Sequence, residues 1–184
     1  MLFETPIRTD RLVLKPQSME EFDTVHALHR DPEVMRYVGN GKPIVWPREK
    51  ALEHHREVVQ AQAERDYGFL SVFIRQTGQY IGWCGLAPCK PLEGVELGYR
   101  YVKAAWGNGY ATEAAVPVMA AGFELFGLDR VVAWVHPGNL ASRRVLEKVG
   151  MTHVRDVPNE RAGMDVCVYE IDRRKWKRHV ADHR

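Results

Sequence analysis

A short stretch of the chain, residues 106–114 (WGNGYATEA), carries two glycines immediately ahead of a predicted helix. The first turn of a helix leaves backbone N–H groups unpaired, and the helix dipole adds roughly half a positive charge there. Because Gly107 and Gly109 have no Cβ, a phosphate can approach these amides closely. The same pattern is also compatible with a glycine-bearing turn that only connects a strand to a helix.

Two better-known phosphate loops do not match this stretch. A Walker-type loop needs a lysine where the chain has Tyr110, and a dinucleotide-binding fingerprint needs a third glycine where it has Thr112. The sequence therefore favours a phosphate-containing ligand that is held by backbone amides.

Glu96 is the candidate residue for acid–base chemistry. It is the second residue of a predicted strand, residues 95–102 (VELGYRYV), in which Glu96, Gly98 and Arg100 share one face because side chains alternate along a strand. A carboxylate beside a cleft can act as a general base, directly or through a water. A solvated carboxylate on the strand is an alternative interpretation of equal weight. Glu113 lies in the first turn of the following helix, where its negative charge interacts favourably with the helix dipole. It is therefore predicted to have a structural role.

A second group of polar residues follows the next predicted strand. In GNLASRRVLEKVGM (residues 138–151), Asn139 and Ser142 lie where a helix begins. Asn139 can cap this helix or hydrogen-bond an amide-bearing ligand, since its side chain offers both a donor and an acceptor. A capping role is equally open to Ser142.

The elements that must position these residues follow from local signals. Ser18 and Glu21 have the spacing of a capping box, and Pro47 suits the first turn of a second helix. The runs FLSVFIR and YIGWCGL, joined by QTGQ, predict a β-hairpin, whereas the later strands alternate with helices. We therefore expect an α/β fold with a mixed, mostly antiparallel central sheet flanked by helices. The basic end of the chain, residues 173–184, is predicted to be solvated and frayed.

The composition excludes several classes of protein. The chain has 184 residues, of which 45% are hydrophobic and 27% charged, and this indicates one globular domain over residues 1–184. No apolar run approaches the roughly 20 residues of a membrane span and no signal-peptide core is present, so we expect a cytoplasmic protein without a membrane partner. A net charge of +2 argues against nucleic acid as the main partner. No metal is expected, because the histidines lack a ligand motif and the cysteines lack paired spacing (Cys84, Cys89 and Cys167).

The order of these motifs resembles the GNAT superfamily of acyl-CoA transferases, and especially its RimJ/RimL type. The resemblance rests on ELGYRYV, WGNGYATEA and the pattern NxxSxxxLEKxGM, together with IRTDRLVLKP, DPEVMRYVG and VYEIDRRKW, and it covers nearly the whole chain. It implies central strands that splay apart and acetyl-CoA as the cosubstrate. It also implies that Tyr101 and Val102 pair with pantetheine, that a backbone N–H there polarises the thioester carbonyl, and that Asn139 binds pantetheine as well. The pyrophosphate is then held by the amides of Gly107, Asn108, Gly109, Tyr110, Ala111 and Thr112.

Two positions depart from the pattern of the superfamily. Trp106 replaces an arginine or glutamine, which removes one polar contact of the loop. Many GNAT enzymes have a tyrosine where this chain has Leu146, so the resemblance implies Ser142 as the partner of the leaving thiolate, with Tyr99 and Tyr101 as alternatives.

The resemblance further implies direct attack of a primary amine on acetyl-CoA in a ternary complex, with Glu96 as the base. The expected acceptor is a protein N-terminus, such as that of a ribosomal protein, or a small-molecule amine, and the expected assembly is a monomer or homodimer. We expect residues 35–50 and 153–165 to build the acceptor pocket. A non-catalytic acyl-CoA-binding module and a ribosome-associated binding protein are the alternative functions.

Overall fold

The structure is a computed structural model that describes residues 6–64, 67–160 and 162–182. Its strands are β1 (Ile7–Arg8), β2 (Leu12–Pro16), β3 (Phe69–Ile74), β4 (Tyr80–Cys89), β5 (Gly94–Tyr101), β6 (Arg130–Val135), β7 (Thr152–Asn159) and β8 (Met164–Asp172). Its helices are α1 (Phe22–Arg30), α2 (Pro32–Met35), α3 (Arg48–Ala63), α4 (Tyr110–Glu124), α5 (Leu140–Lys148) and α6 (Arg173–Asp182). Over these ranges no helix has the length and apolar character needed to cross a bilayer.

The strands form one sheet in the order β1-β2-β3-β4-β5-β6-β8-β7. Neighbouring strands are antiparallel except β5 and β6, which run parallel and are connected through α4. A parallel pair requires such a crossover, because a tight turn can join only antiparallel strands. The prediction of a mixed, mostly antiparallel sheet flanked by helices is confirmed.

Local sequence signals begin the elements that they predicted. The Glu21 carboxylate accepts a hydrogen bond from the Ser18 backbone N–H at 2.7 Å, and the Ser18 hydroxyl accepts one from the Glu20 N–H, which completes the capping box ahead of α1. Pro47 directly precedes α3. The turn of the β3–β4 hairpin contains Gly78 at a φ of +69°, a backbone conformation that glycine adopts without strain.

The core lies between the sheet and α4. Leu12, Leu70 and Leu86 of the sheet are fully buried, as is Met119 of α4. A Cβ added at Gly122 would lie 2.8 Å from a methyl carbon of Leu86, so the glycine allows α4 to approach β4 closely. This contact fixes α4, the helix that begins directly after the glycine loop (residues 106–109).

Residues 173–182 of the basic end form α6, so the prediction of a frayed end is wrong for them, whereas residues 183–184 lie outside the described ranges. Trp176 is only 2% exposed, and its ring stacks on Phe123 with the ring centroids 5.7 Å apart. The Arg173 Nε donates a hydrogen bond to the Leu128 carbonyl at 3.0 Å. Burial of one large aromatic side chain stabilises a fold by about 2 kcal/mol or more, which offsets the exposure of a strongly charged helix.

The two central strands separate soon after they meet. β5 and β6 pair only at Val95 with Val131 and at Glu96 with Val132. Beyond Glu96 the edge of β5 that faces β6 has no strand partner as far as Tyr101. The splayed central strands that the resemblance implied are therefore present.

Candidate active site

A cavity of about 470 Å³ opens where β5 and β6 separate. Its opposing walls are residues 96–100 of β5 and residues 133–136 at the end of β6. The two segments predicted to build an acceptor pocket both contribute, the first through Tyr37 and Lys42 and the second through Asn159. The separation of the strands thus creates a cavity, open on one side, between side chains from distant parts of the sequence.

The free edge of β5 offers backbone groups to this gap. The Val102 N–H donates to the Ile81 carbonyl of β4 at 2.9 Å, so it is not available to a ligand. Because N–H groups alternate between the two sides of a strand, those of Leu97, Tyr99 and Tyr101 point toward the gap. Of the two residues predicted to pair with pantetheine, only Tyr101 has its N–H on the open side.

Trp106 closes part of this edge. Its indole N–H donates to the Tyr101 carbonyl at 2.9 Å, although the ring is 43% exposed. The expectation that Trp106 removes a polar contact is therefore incomplete, since the indole supplies one between the loop and the end of β5.

The glycine loop leads directly into α4. Gly107 and Gly109 have φ values of +76° and +78°, and Gly109 is the N-cap residue of the helix, which has no side-chain cap. The Asn108 side chain folds back and donates to the carbonyls of Ala105 and Trp106, at 3.3 and 3.0 Å. A Cβ at Gly107 would meet no atom within 4 Å, so it would project into open space beside the loop. The loop is thus ordered by its own contacts while the first amides of α4 carry no side-chain cap.

Glu113 and Arg11 fasten the start of α4 to the β1–β2 turn. The Glu113 carboxylate accepts hydrogen bonds from the Thr9 hydroxyl at 2.6 Å and from the Arg11 Nε at 2.7 Å. Burial pushes the pKa of Glu113 upward, but these hydrogen bonds outweigh it and hold the pKa below its ordinary value. The contacts agree with the structural role predicted for Glu113.

Arg11 also brings a positive charge to the glycine loop. Its guanidinium lies 4.7 Å from the centroid of the Tyr110 ring, and its Nη2 lies 3.6 Å from the position that a Cβ at Gly109 would occupy. Sequence reasoning missed this residue, because 102 positions separate Arg11 from Glu113 and no local pattern links them.

The start of α5 differs, because a side chain caps it. The Asn139 Oδ1 accepts a hydrogen bond from the Ser142 N–H at 3.1 Å, which leaves the Asn139 amide N–H₂ free to act as a donor. The Ser142 hydroxyl lies 2.9 Å from the Tyr99 hydroxyl and lines the cavity. Burial raises the pKa of Tyr99, so its phenol stays protonated. The structure therefore brings together Ser142 and Tyr99, which the sequence treated as alternatives.

Glu96 lies at the point where the two strands separate. It is half-buried and lines the cavity, unlike a solvated carboxylate on the outer face of a sheet. Burial raises the pKa of Glu96, and hydrogen bonds with Cys89 and Trp134 offset only part of this effect. A carboxyl group with a raised pKa beside a cavity is suited to proton transfer.

One group of side chains in the described ranges has the composition of a metal site. Ligand atoms of His153, Asp156 and Cys167 all lie within 4.8 Å of one another on the β7–β8 hairpin. The His153 Nε2 already lies 2.8 Å from an Asp156 oxygen, and a raised pKa, caused mainly by burial, keeps the Cys167 thiol protonated. No local sequence pattern indicates this group, because Cys167 joins His153 and Asp156 only through the pairing of β7 with β8.

Comparison with known proteins agrees with this architecture. The chain matches the family model of the acetyltransferase (GNAT) domain over residues 11–152. It is 33% identical over 174 residues to YkkB, an uncharacterised protein of Bacillus subtilis (strain 168), with 91% of this chain and 95% of that protein covered. It is 31% identical over 186 residues to the FsC-acetyl coenzyme A-N(2)-transacetylase of Aspergillus fumigatus, with 94% of this chain and 78% of that protein covered.

A solved structure shares the fold. The crystal structure of a GNAT-family acetyltransferase from Bacillus anthracis aligns with a TM-score of 0.78 over 92% of this chain and 99% of that one, at 22% identity. The family match extends from β2 to the start of β7 and includes both separated strands and both helix starts. The chain therefore belongs to the GNAT family and is an acetyltransferase.

Proposed function

We propose that this enzyme transfers an acetyl group from acetyl-CoA to a primary amine by direct attack in a ternary complex. The observation that carries the proposal is the separation of β5 and β6 beyond Glu96, which exposes one backbone edge beside a cavity of about 470 Å³. That edge suits the amide-bearing arm of the cosubstrate, while the cavity suits the acceptor. The name of the Aspergillus fumigatus relative includes acetyl coenzyme A, which supports this donor.

The cosubstrate is held mainly by backbone groups. The pyrophosphate lies against the amides of residues 107–112, where the positive end of the α4 dipole favours negative charge. The pantetheine arm pairs with the free edge of β5 at Tyr101, and the Asn139 amide donates a hydrogen bond to it. The open space beside Gly107 supports this arrangement, since a side chain there would compete with the phosphates.

Glu96 acts as the general base. The acceptor amine must lose a proton to become nucleophilic, and Glu96 accepts it directly or through one water. Because burial raises the pKa of Glu96, the carboxylate is a stronger base than an exposed one. General-base catalysis of this kind contributes about 10²- to 10⁴-fold to the rate.

Ser142 stabilises the leaving thiolate. Its hydroxyl donates a hydrogen bond to the sulfur as the carbon–sulfur bond breaks. The Tyr99 hydroxyl lies 2.9 Å from the Ser142 hydroxyl and donates to the Ser142 backbone carbonyl at 3.1 Å. The capping contact from the Ser142 N–H to Asn139 holds this serine in position. Tyr99 is accordingly a positioning residue, with Ser142 in contact with the reacting atoms.

The proposed acceptor is one of two classes of primary amine. The RimJ/RimL resemblance supports a protein N-terminus such as that of a ribosomal protein, and the volume of the cavity, about 470 Å³, supports a small-molecule amine. A cytoplasmic location is part of the proposal, and the three buried, free cysteines suit a reducing compartment.

The test is release of free coenzyme A thiol from acetyl-CoA in the presence of small amines and N-terminal peptides. We expect release with at least one amine class, a loss of about 10²-fold or more in Glu96→Gln, and a smaller loss in Ser142→Ala. Glu124→Gln, an exposed carboxylate on α4, serves as the matched control and should be unaffected. If neither Glu96→Gln nor Ser142→Ala changes the rate, the catalytic roles are wrong. If no amine supports release, the transfer reaction itself is wrong.

A further inference from the structure

Arg100 is a half-buried cation on the cavity wall that the reaction steps above do not use. Its Nε is buried and has no hydrogen-bond partner within the described ranges, and its guanidinium lies 5.2 Å from the centroid of the Trp83 ring. Across the described ranges no ion pair joins Arg100 to a carboxylate. The guanidinium therefore lines the cavity without a counter-charge.

The polar groups near Arg100 do not supply a negative charge to balance the guanidinium. Burial lowers the pKa of His29 to about 3, and the charge of Arg100 acts in the same direction, so His29 is neutral. Burial also raises the pKa of Tyr80, so this phenol stays protonated beside Arg100. Glu21, the carboxylate that acts on Tyr80, is already paired with Lys15 at 3.5 Å.

An unpaired buried guanidinium is costly to maintain. Removal of a charge from water is unfavourable unless an opposite charge and hydrogen bonds replace the lost hydration. Burial lowers the pKa of Arg100 to about 10, which reflects this cost, although the group remains charged at neutral pH. A carboxylate entering the cavity would meet a planar donor suited to two parallel hydrogen bonds.

The space between Arg100 and Glu96 has a distinct shape. The two residues lie on the same face of β5 four positions apart, so their Cα atoms are roughly 13 Å from each other. Gly98 lies between them, and a Cβ there would come within 2.9 Å of the Phe69 ring. The Phe69 and Trp83 rings have centroids 4.5 Å apart, so an aromatic strip extends from Arg100 to Gly98.

We propose that Arg100 binds a carboxylate of the acceptor, so that the acceptor is an amine that also carries a carboxylate several atoms away. The inference rests on the proposed function, because Glu96 then defines the end of the cavity where the amine reacts. The aromatic strip accommodates the apolar part of the molecule between the two charged ends.

The first test compares acids with amides in the wild-type enzyme. The acceptors are glycine, β-alanine, 4-aminobutanoate, 6-aminohexanoate and L-phenylalanine, each measured beside its own carboxamide. We expect kcat/KM for the best acid to exceed that for its amide by about tenfold or more, since one charge-assisted contact distinguishes them. Equal values for acids and amides at every length would overturn the proposal while acetyl transfer stands. If no acceptor of any class releases thiol, the proposed function fails and this inference fails with it.

The second test assigns the preference to Arg100. In Arg100→Met we expect the KM for the acid to rise about tenfold or more, the acid and amide to become equivalent, and the KM for acetyl-CoA to stay unchanged. Arg100→Lys should restore part of the preference. Lys42→Met, which removes the exposed cation on the cavity wall, is the control and should keep the preference.

Two results would contradict the assignment. A change in the KM for acetyl-CoA alone would place Arg100 in the cosubstrate site, and loss of the preference in Lys42→Met alone would assign recognition to that lysine. If Arg100→Met does not fold, Arg100→Lys and the wild-type comparison of acids with amides still decide the question.

Discussion

Two helices, α4 and α5, begin beside the gap between the central strands, and their starts are built differently. α4 begins after Gly109 and has no side-chain cap, whereas Asn139 caps α5 by accepting the Ser142 N–H. Both helices have unpaired N–H groups in their first turn. The chain satisfies one of these groups with its own side chain at α5 but leaves those of α4 without a side-chain partner.

This difference separates two kinds of recognition. At α4, backbone donors and the helix dipole suit a large anion whose identity depends little on side chains. At α5, capping fixes Asn139 and Ser142 in place, so their remaining polar atoms can make directed contacts in the cavity. We therefore expect substitutions at α4 to act on the binding of acetyl-CoA, and those at α5 to act on directed contacts with its pantetheine arm and sulfur.

The largest expected effect comes from negative charge placed at the α4 start. In Gly107→Glu, repulsion between the carboxylate and a phosphate about 5 Å away costs about 3 kcal/mol, which corresponds to about 100-fold weaker acetyl-CoA binding. Titration calorimetry with acetyl-CoA measures the change.

Two variants control for charge and for backbone strain. Gly107→Gln has nearly the same shape without the charge and should bind more tightly than Gly107→Glu. Gly78→Glu has the same positive φ and the same open surroundings, but it lies in the β3–β4 turn, so it should leave binding unchanged. Equal losses in Gly107→Glu and Gly78→Glu would mean that the loop does not hold phosphate.

A smaller effect is expected from Asn139→Asp. Aspartate caps helices as well as asparagine does, so the free energy of unfolding should change little. The variant loses the amide donor, and we expect the KM for acetyl-CoA to rise about tenfold because one hydrogen bond is replaced by repulsion. An unchanged KM for acetyl-CoA would mean that Asn139 serves only to cap α5.

The sequence predicted the α4 side of this comparison more completely than the cavity. Glycines before a helix are a local signal, whereas strand alternation placed Glu96 on one face with Gly98 and Arg100 but left a solvated carboxylate as an alternative. The surroundings of Arg100 depend on the sheet register, which sets Trp83 directly opposite it, and no local pattern reports that register. The sequence did not predict α6, because Trp176 is the one buried residue of this helix among mostly charged residues. It did not predict β7 either, because most side chains of this strand are exposed on both faces of the sheet.

The smallest effect on cosubstrate binding is expected from Glu113→Gln. This substitution weakens the contacts of α4 with Thr9 and Arg11, which should lower the free energy of unfolding by about 1–2 kcal/mol and change the KM for acetyl-CoA by less than about threefold. The pKa of Glu113 is lower in the folded state than the ordinary value of 4.5. Its stabilisation is therefore complete above pH 4.5 and is lost as the pH falls through the folded pKa.

Denaturant titrations at pH 7 and pH 3 measure the contribution of the Glu113 carboxylate to the free energy of unfolding. The wild type and Glu113→Gln should differ more at pH 7 than at pH 3, because the stabilisation from the carboxylate starts to be lost once the pH falls below 4.5. Equal differences at the two pH values would mean that the carboxylate charge contributes nothing to this contact.

The pH dependence of kcat/KM for the acceptor tests the central claim most directly. Because burial raises the pKa of Glu96, the wild-type rate should increase as the pH rises through that raised pKa, as the carboxylate form appears. We expect Glu96→Gln to lower the rate by about 10²- to 10⁴-fold and to remove this acid limb while leaving acetyl-CoA binding intact. A Glu96→Gln enzyme that keeps both the wild-type rate and the acid limb would contradict the assignment of the separated strands as the site of acetyl transfer with Glu96 as its base.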